Sequence, residues 1–147
     1  PLPLARRDRR QKEIHAENLF RTSGLASSAL RSTSHALHHV ALETRREDVP
    51  AELAFWAQLG FEEVPPPPAL EGRTTWVQRD AQQIHLLWDD GPTVPPEGHV
   101  AVVLGEDYER VREAVGAEPR SEHWGSPRSF ARTPGGHRVE LMASPPS

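Results

Sequence analysis

Two short stretches of this chain are nearly the same: HHVAL at residues 38–42 and GHVAV at residues 98–102. Each sets a histidine before a Val-Ala-aliphatic run that reads as a buried strand. A strand repeated 60 residues on, from His39 to His99, with the same polar residue in the same place, points to a duplicated unit. That duplication limits the folds open to the chain more than any other feature.

The order of elements does begin twice. Residues 37–43 read as a strand from their aliphatic content. In DVPAELAFWAQLG, Asp48 is placed to cap a helix, Pro50 lies in its first turn, and Gly60 stands where it should stop. Val49, Leu53, Trp56 and Ala57 recur at helical spacing, so the helix has one face to bury. Residues 61–64 read as a short strand, the four prolines at 65–68 as a stiff loop, and 74–80 and 82–89 as two strands turning near Asp80 and Ala81. After DGPTVPPEG the series restarts with a strand over 98–104. A helix follows in EDYERVREAVGA, with Tyr108, Val111 and Val115 on one face and Gly116 as its stop. A strand near 117–124, another over 128–133 and a last over 135–142 complete the set. The expected fold is α+β: two βαβββ modules, 37–90 and 97–143, forming a cup-shaped mixed sheet.

Strand alternation then sorts the side chains, because successive residues point to opposite faces. Val40 and Leu42, like Val100 and Val102, suit the faces covered by the helices, so His39 and His99 look away from them. In the last strand of each module, His85 opposes Ile84, Leu86 and Trp88, and Glu140 opposes Val139 and Leu141. These four residues therefore fall at matching positions, and they converge if the two sheets curl toward each other. By the same alternation His38 belongs to the helix side.

Residues 1–36 differ in kind. They hold seven Lys+Arg against three Asp+Glu, whereas the rest holds ten against eighteen. Few large apolar residues and no sustained period mark this basic extension as a disordered or non-native leader, or as an arm that embraces a partner. Asp8, Glu13 and Glu17 argue against a transit peptide, and the lack of an apolar stretch against a secretory signal. An acidic body argues against nucleic acid as a partner. No run approaches the ~20 apolar residues of a membrane helix. The chain has no cysteine, which excludes disulfides, thiolate zinc sites and cysteine nucleophiles. The expected location is the cytoplasm.

LHHVAL followed by FWAQLGFEEV, and RSFARTPGGHRVELM with its Gly-rich turn before a Glu-Leu strand, resemble the opening and closing segments of the vicinal oxygen chelate superfamily. That superfamily includes glyoxalase I, extradiol dioxygenases and bleomycin-resistance proteins. The resemblance covers about residues 37–143. It implies that the first and last strands of each module supply metal ligands, here His39, His85, His99 and Glu140, with modules paired within a chain or across a homodimer. Glyoxalase-I-type isomerases commonly carry Glu or Gln where this chain has His85, and ring-cleaving dioxygenases use two histidines and a glutamate. The donor set here matches neither subgroup outright.

Imidazole and carboxylate together suit one Fe, Mn, Ni, Co or Zn ion. Such an ion can chelate a small-molecule substrate through neighbouring oxygens and stabilise an enediolate-like charge. Glu140 is the first choice of base, and Glu43, on the His39 face, a distant second. Arg128, Phe130 and Trp76 are candidate substrate contacts, with Arg128 suited to an anionic group. Trp88 reads as core, and His123 and His137, in or beside loops, as solvated. Three functions compete: a metal-dependent isomerase or lyase, an extradiol dioxygenase, and a metal-free drug-binding resistance protein. The intact donor set disfavours the third, and the first stands slightly ahead of the second because that class tolerates several divalent metals.

Overall fold

The computed structural model describes residues 37–146; the basic extension over 1–36 lies outside the described residues. Strand β1 (His39–Thr44) leads through a single 3-10 turn into helix α1 (Val49–Gln58), followed by β2 (Glu62–Val64), β3 (Thr74–Arg79) and β4 (Gln82–Trp88). The second series is β5 (His99–Val103), helix α2 (Tyr108–Ala114), β6 (Glu118–Arg120), β7 (Arg128–Arg132) and β8 (Arg138–Met142).

Every expected strand and helix is present, and the differences lie at the ends. Asp48 occupies the cap position of α1 but makes no side-chain cap hydrogen bond; its backbone is already helical, continuing the preceding 3-10 turn. Gly60 and Gly116 take φ of 84° and 62° just past the two helices, a left-handed conformation that glycine adopts without Cβ strain. β8 begins at Arg138 rather than at 135, because 133–137 form a closed turn. Thr133 N–H donates to the His137 carbonyl at 2.8 Å, and Gly136 N–H to the Thr133 carbonyl at 2.8 Å.

The two series build two four-stranded mixed sheets of the same order, β1-β4-β3-β2 and β5-β8-β7-β6. In each, the first strand pairs in parallel with the last, and the other pairings are antiparallel. The registers also agree. Ala41 lies beside His85, which lies beside Trp76; Ala101 lies beside Glu140, which lies beside Phe130. Each first-strand histidine stands two residues before the alanine in its row. The repeat read in the sequence is thus a repeat of register, down to an aromatic on the third strand.

One hydrophobic core joins the modules. Trp56, Leu59, Phe61, Val77, Ile84 and Leu86 from the first pack in a single cluster with Val102, Leu104, Tyr108, Val111, Val139 and Leu141 from the second. Burial of this aliphatic and aromatic surface is the main stabilising term.

A polar clasp sits inside that core. Glu52, on α1, is fully buried. It accepts from its own helix, Trp56 Nε1 at 3.0 Å, and from the second module, Gly135 N–H at 2.7 Å. A Cβ at position 135 would lie 2.9 Å from Glu52 Oε1 and 3.1 Å from Thr44 Oγ1, so the close approach requires glycine. His137, on the same turn, is also buried and bonds Nε2 to the Glu43 carbonyl at 2.6 Å. The expectation of a solvated His137 is overturned: its turn is folded against β1, and the ring serves as a tie between modules.

Glu52→Ala would leave the Gly135 amide and the Trp56 indole without acceptors. At about 1–3 kcal/mol for an orphaned buried donor, this variant should lose about 3 kcal/mol of stability in urea denaturation. Glu52→Gln, which keeps an acceptor oxygen, should lose less.

Candidate metal and substrate site

The face of each sheet turned away from its buried apolar residues carries the candidate side chains. In the first module three rings stack. His85 lies between Trp76, at 3.8 Å and 2° between planes, and His39, at 4.1 Å and 12°. Its orientation is fixed by a chain of side-chain amides. The Asp80 carbonyl can only accept, so Gln78 Nε2 donates to it at 2.9 Å; Gln78 Oε1 then accepts from Gln83 Nε2 at 2.7 Å. Gln83 Oε1 is left to face His85 Nε2 at 2.9 Å, which places the proton on that nitrogen and leaves Nδ1 with its lone pair. A histidine with one nitrogen bonded and the other free is what metal ligation requires.

His85 is also held neutral. Its pKa is lowered from 6.5 to about 4, chiefly by burial and secondarily by the neighbouring charges of His39 and His38. His38, directly before β1, accepts from Gln83 N–H at 3.0 Å through its carbonyl, and its exposed ring meets His39 edge-on, with Nδ1 to Nδ1 at 3.2 Å.

The second module presents a different pair. His99 Nδ1 lies 3.1 Å from the Glu97 carbonyl, to which it must donate, and Nε2 then faces Glu140 Oε2 at 3.1 Å. Two lone pairs at that distance attract only through a cation, either a second proton on the ring or a metal ion. The other Glu140 oxygen accepts from Arg128 Nη1 at 2.7 Å, and the carboxylate is nearly buried. Phe130 lies edge-on to His99 and beneath Arg138, whose guanidinium carbon is 3.9 Å from the ring centre.

By tautomer and hydrogen bonding, His85 and His99 each have one ring nitrogen of the kind that ligates a metal, and Glu140 turns one carboxylate oxygen toward His99. The chain nevertheless gathers the four expected ligands as two pairs, and among the described residues no group of three or more His, Asp or Glu is close enough to hold an ion. Glu43, the second candidate base, is engaged elsewhere: its carboxylate accepts from Thr93 N–H at 2.6 Å. Trp88 is only half-buried, its indole N–H donating to Thr75 Oγ1 at 3.2 Å, and His123 is exposed. A groove of about 380 Å³ opens beside His38 and His39, bordered by Val40, Ile84, Val100 and Val102, and leaves the second pair outside its lining.

Sequence reasoning missed the parts that orient the ligands. Gln78, Gln83 and the Glu97 carbonyl act through hydrogen bonds that no residue pattern announces. The alternation of Gln83 with His85, which puts both on one strand face, was the one available signal.

No protein-family model and no curated protein sequence matches the chain. Solved structures do. A protein of Bacillus anthracis described as glyoxalase-family is 22% identical, with 74% of this chain and 93% of that one covered at a TM-score of 0.62. A glyoxalase/dioxygenase from Nostoc punctiforme is 19% identical (77% and 93% covered, TM-score 0.60). A lactoylglutathione lyase from Agrobacterium tumefaciens is 20% identical (76% and 94%, TM-score 0.52). The chain has the glyoxalase fold. The expected pair of βαβββ modules is the architecture of that fold, and the covered share of the glyoxalase-fold proteins is nearly their whole length. No helix among the described residues is long and apolar enough to cross a membrane.

The His85 environment makes a pH prediction. In the unfolded chain His85 takes up a proton near pH 6.5, whereas the folded chain resists protonation until about pH 4. Its contribution to stability is therefore complete above about 6.5 and declines as pH falls toward 4. Urea midpoints measured at pH 7 and pH 5 should differ less in His85→Leu than in the parent chain.

Proposed function

We propose that this protein is a divalent-metal-dependent enzyme that binds a substrate through two neighbouring oxygens, acting as an isomerase or lyase on an enediolate-like intermediate. The observation that carries this reading is the matching register of His85 and Glu140, each flanked by a first-strand histidine and an aromatic. A duplicated fold does not need polar donors at both copies of one position. His39, His85, His99 and Glu140 would hold the ion, which when bound supplies Lewis-acid stabilisation of oxyanion charge. Glu140 would serve as the proton acceptor, its Oε2 facing His99 and its Oε1 kept in place by Arg128. Trp76 and Phe130 would flank the substrate, the Trp76 indole N–H being buried without an acceptor among the described residues. With iron, the same donors would suit an extradiol dioxygenase, and oxygen uptake with catechols separates the two.

We infer further that the two pairs complete one another across two copies of the chain. Support comes from the face they occupy. Ala41, Leu87, Ala101 and Val103 stand exposed there beside His39 and His99, an apolar strip suited to burial against a second copy.

Two measurements test the reading. His39→Ala, His99→Ala and Glu140→Ala should each weaken Mn(II) or Ni(II) binding by about 10-fold or more, with no binding by the parent chain overturning the metal assignment. Neither the His39→Ala nor the Glu140→Ala chain should then bind metal well alone. Mixed and refolded together, they should regain part of the parent's tight sites, because one mixed pairing is intact. No recovery would place the site within one chain.

A further inference from the structure

We propose that Arg128 competes with the metal ion for Glu140, and that the site thereby selects a ligand carrying an anionic group in addition to its chelating oxygens. The inference deepens the reading above and rests on Glu140 being a ligand.

Arg128 is held beside Glu140 by contacts that do not involve Glu140. Its Nε donates to the Ser121 carbonyl at 2.7 Å, and its guanidinium carbon lies 5.4 Å from the Trp124 ring and 5.5 Å from the Phe130 ring. Its side chain is 15% exposed and that of Glu140 7%. The second arginine on this face, Arg138, bonds Glu97 at 2.6 Å and so has a counter-charge outside the candidate donor set. Among the described residues the only carboxylate paired with Arg128 is Glu140.

The charge balance follows. A divalent ion arriving at Glu140 meets a carboxylate that a guanidinium already neutralises. With both cations present, one negative charge serves two positive groups where little water reaches them, an arrangement disfavoured by repulsion and desolvation. A ligand that chelates through vicinal oxygens and also brings a carboxylate or phosphate removes the imbalance. Its oxygens complete the metal's coordination, and its anionic group takes the guanidinium donors that Glu140 releases, a pairing that suits the forked geometry of arginine. Metal and anionic ligand should then tighten each other's binding by the same factor.

Calorimetry of Mn(II) binding to the parent chain and to Arg128→Met and Arg128→Lys tests this, each with no addition, with dihydroxyacetone and with dihydroxyacetone phosphate. Both ligands keep a carbonyl beside a free hydroxyl and differ in the phosphate on the other hydroxyl. In the parent chain, dihydroxyacetone phosphate should tighten Mn(II) binding about 10-fold more than dihydroxyacetone does. Arg128→Met should bind Mn(II) alone about 10-fold more tightly and treat the two ligands alike. Arg128→Lys, which keeps the charge and guards against a folding defect in the methionine variant, should retain part of the phosphate preference. Parent-like Mn(II) affinity and an undiminished phosphate preference in Arg128→Met would overturn the role of Arg128 while leaving the metal reading intact. Absence of Mn(II) binding in the parent and both variants would overturn both.

Discussion

Parallel pairing of the first and last strands of each module is the constraint on which the rest depends. Neighbouring parallel strands cannot be joined by a tight turn, so a crossover must intervene, and here it is a helix followed by two antiparallel strands. The helix and the apolar core take one face of the sheet, and that leaves the other for polar groups. The register of this one pairing, Ala41 beside His85 and Ala101 beside Glu140, decides which polar groups are neighbours. A slip of one residue would send His85 or Glu140 into the core and Leu86 or Leu141 out of it. The buried aliphatic face therefore holds the candidate ligands in place without touching them.

The two modules have diverged around this shared frame. The fourth residue of α1 is Glu52, fully buried; the fourth of α2 is Val111, also buried and packed in the same core. Only the first helix thus carries a carboxylate able to receive the turn of the other module. On the opposite face the first module orients a neutral histidine through two glutamines, and the second surrounds a carboxylate with arginine and histidine. The duplication repeats positions, and the chemistry at them is complementary: imidazole in one copy, imidazole with carboxylate in the other.

Most of the fold was legible because its signals are local. Strand alternation, the Gly60 and Gly116 stops and the repeated His-Val-Ala are each read within about ten residues. Alternation also set His85 and Glu140 on the strand face opposite Ile84, Leu86, Val139 and Leu141, although both are themselves buried. It could say nothing of His137, whose burial depends on a turn meeting a strand 94 residues away. The Glu52 clasp is of the same kind, a bond across 83 residues that leaves no periodicity behind. Whether the four candidate ligands meet was beyond the sequence for a related reason: alternation gives a side chain its face, but the approach of two faces is a matter of packing.

The hydrogen bonds separate the polar groups the fold needs from those it does not. Glu52 and His137 each bond from one module to the other, and the Glu43 carboxylate holds the segment between them. Among the described residues, the polar groups of the candidate site bond only within their own modules. His85 turns to Gln83, His99 to Glu97 and Glu140, and Arg128 to Ser121 and Glu140. None of these ties the modules together. Nearly burying an ion pair such as Arg128 with Glu140 is at best weakly stabilising compared with apolar side chains of similar size, and the same strand rows could have been filled with valine and leucine. A buried charge pair and an oriented neutral histidine, set at equivalent positions and contributing nothing to module assembly, are the arrangement expected of groups kept for a ligand.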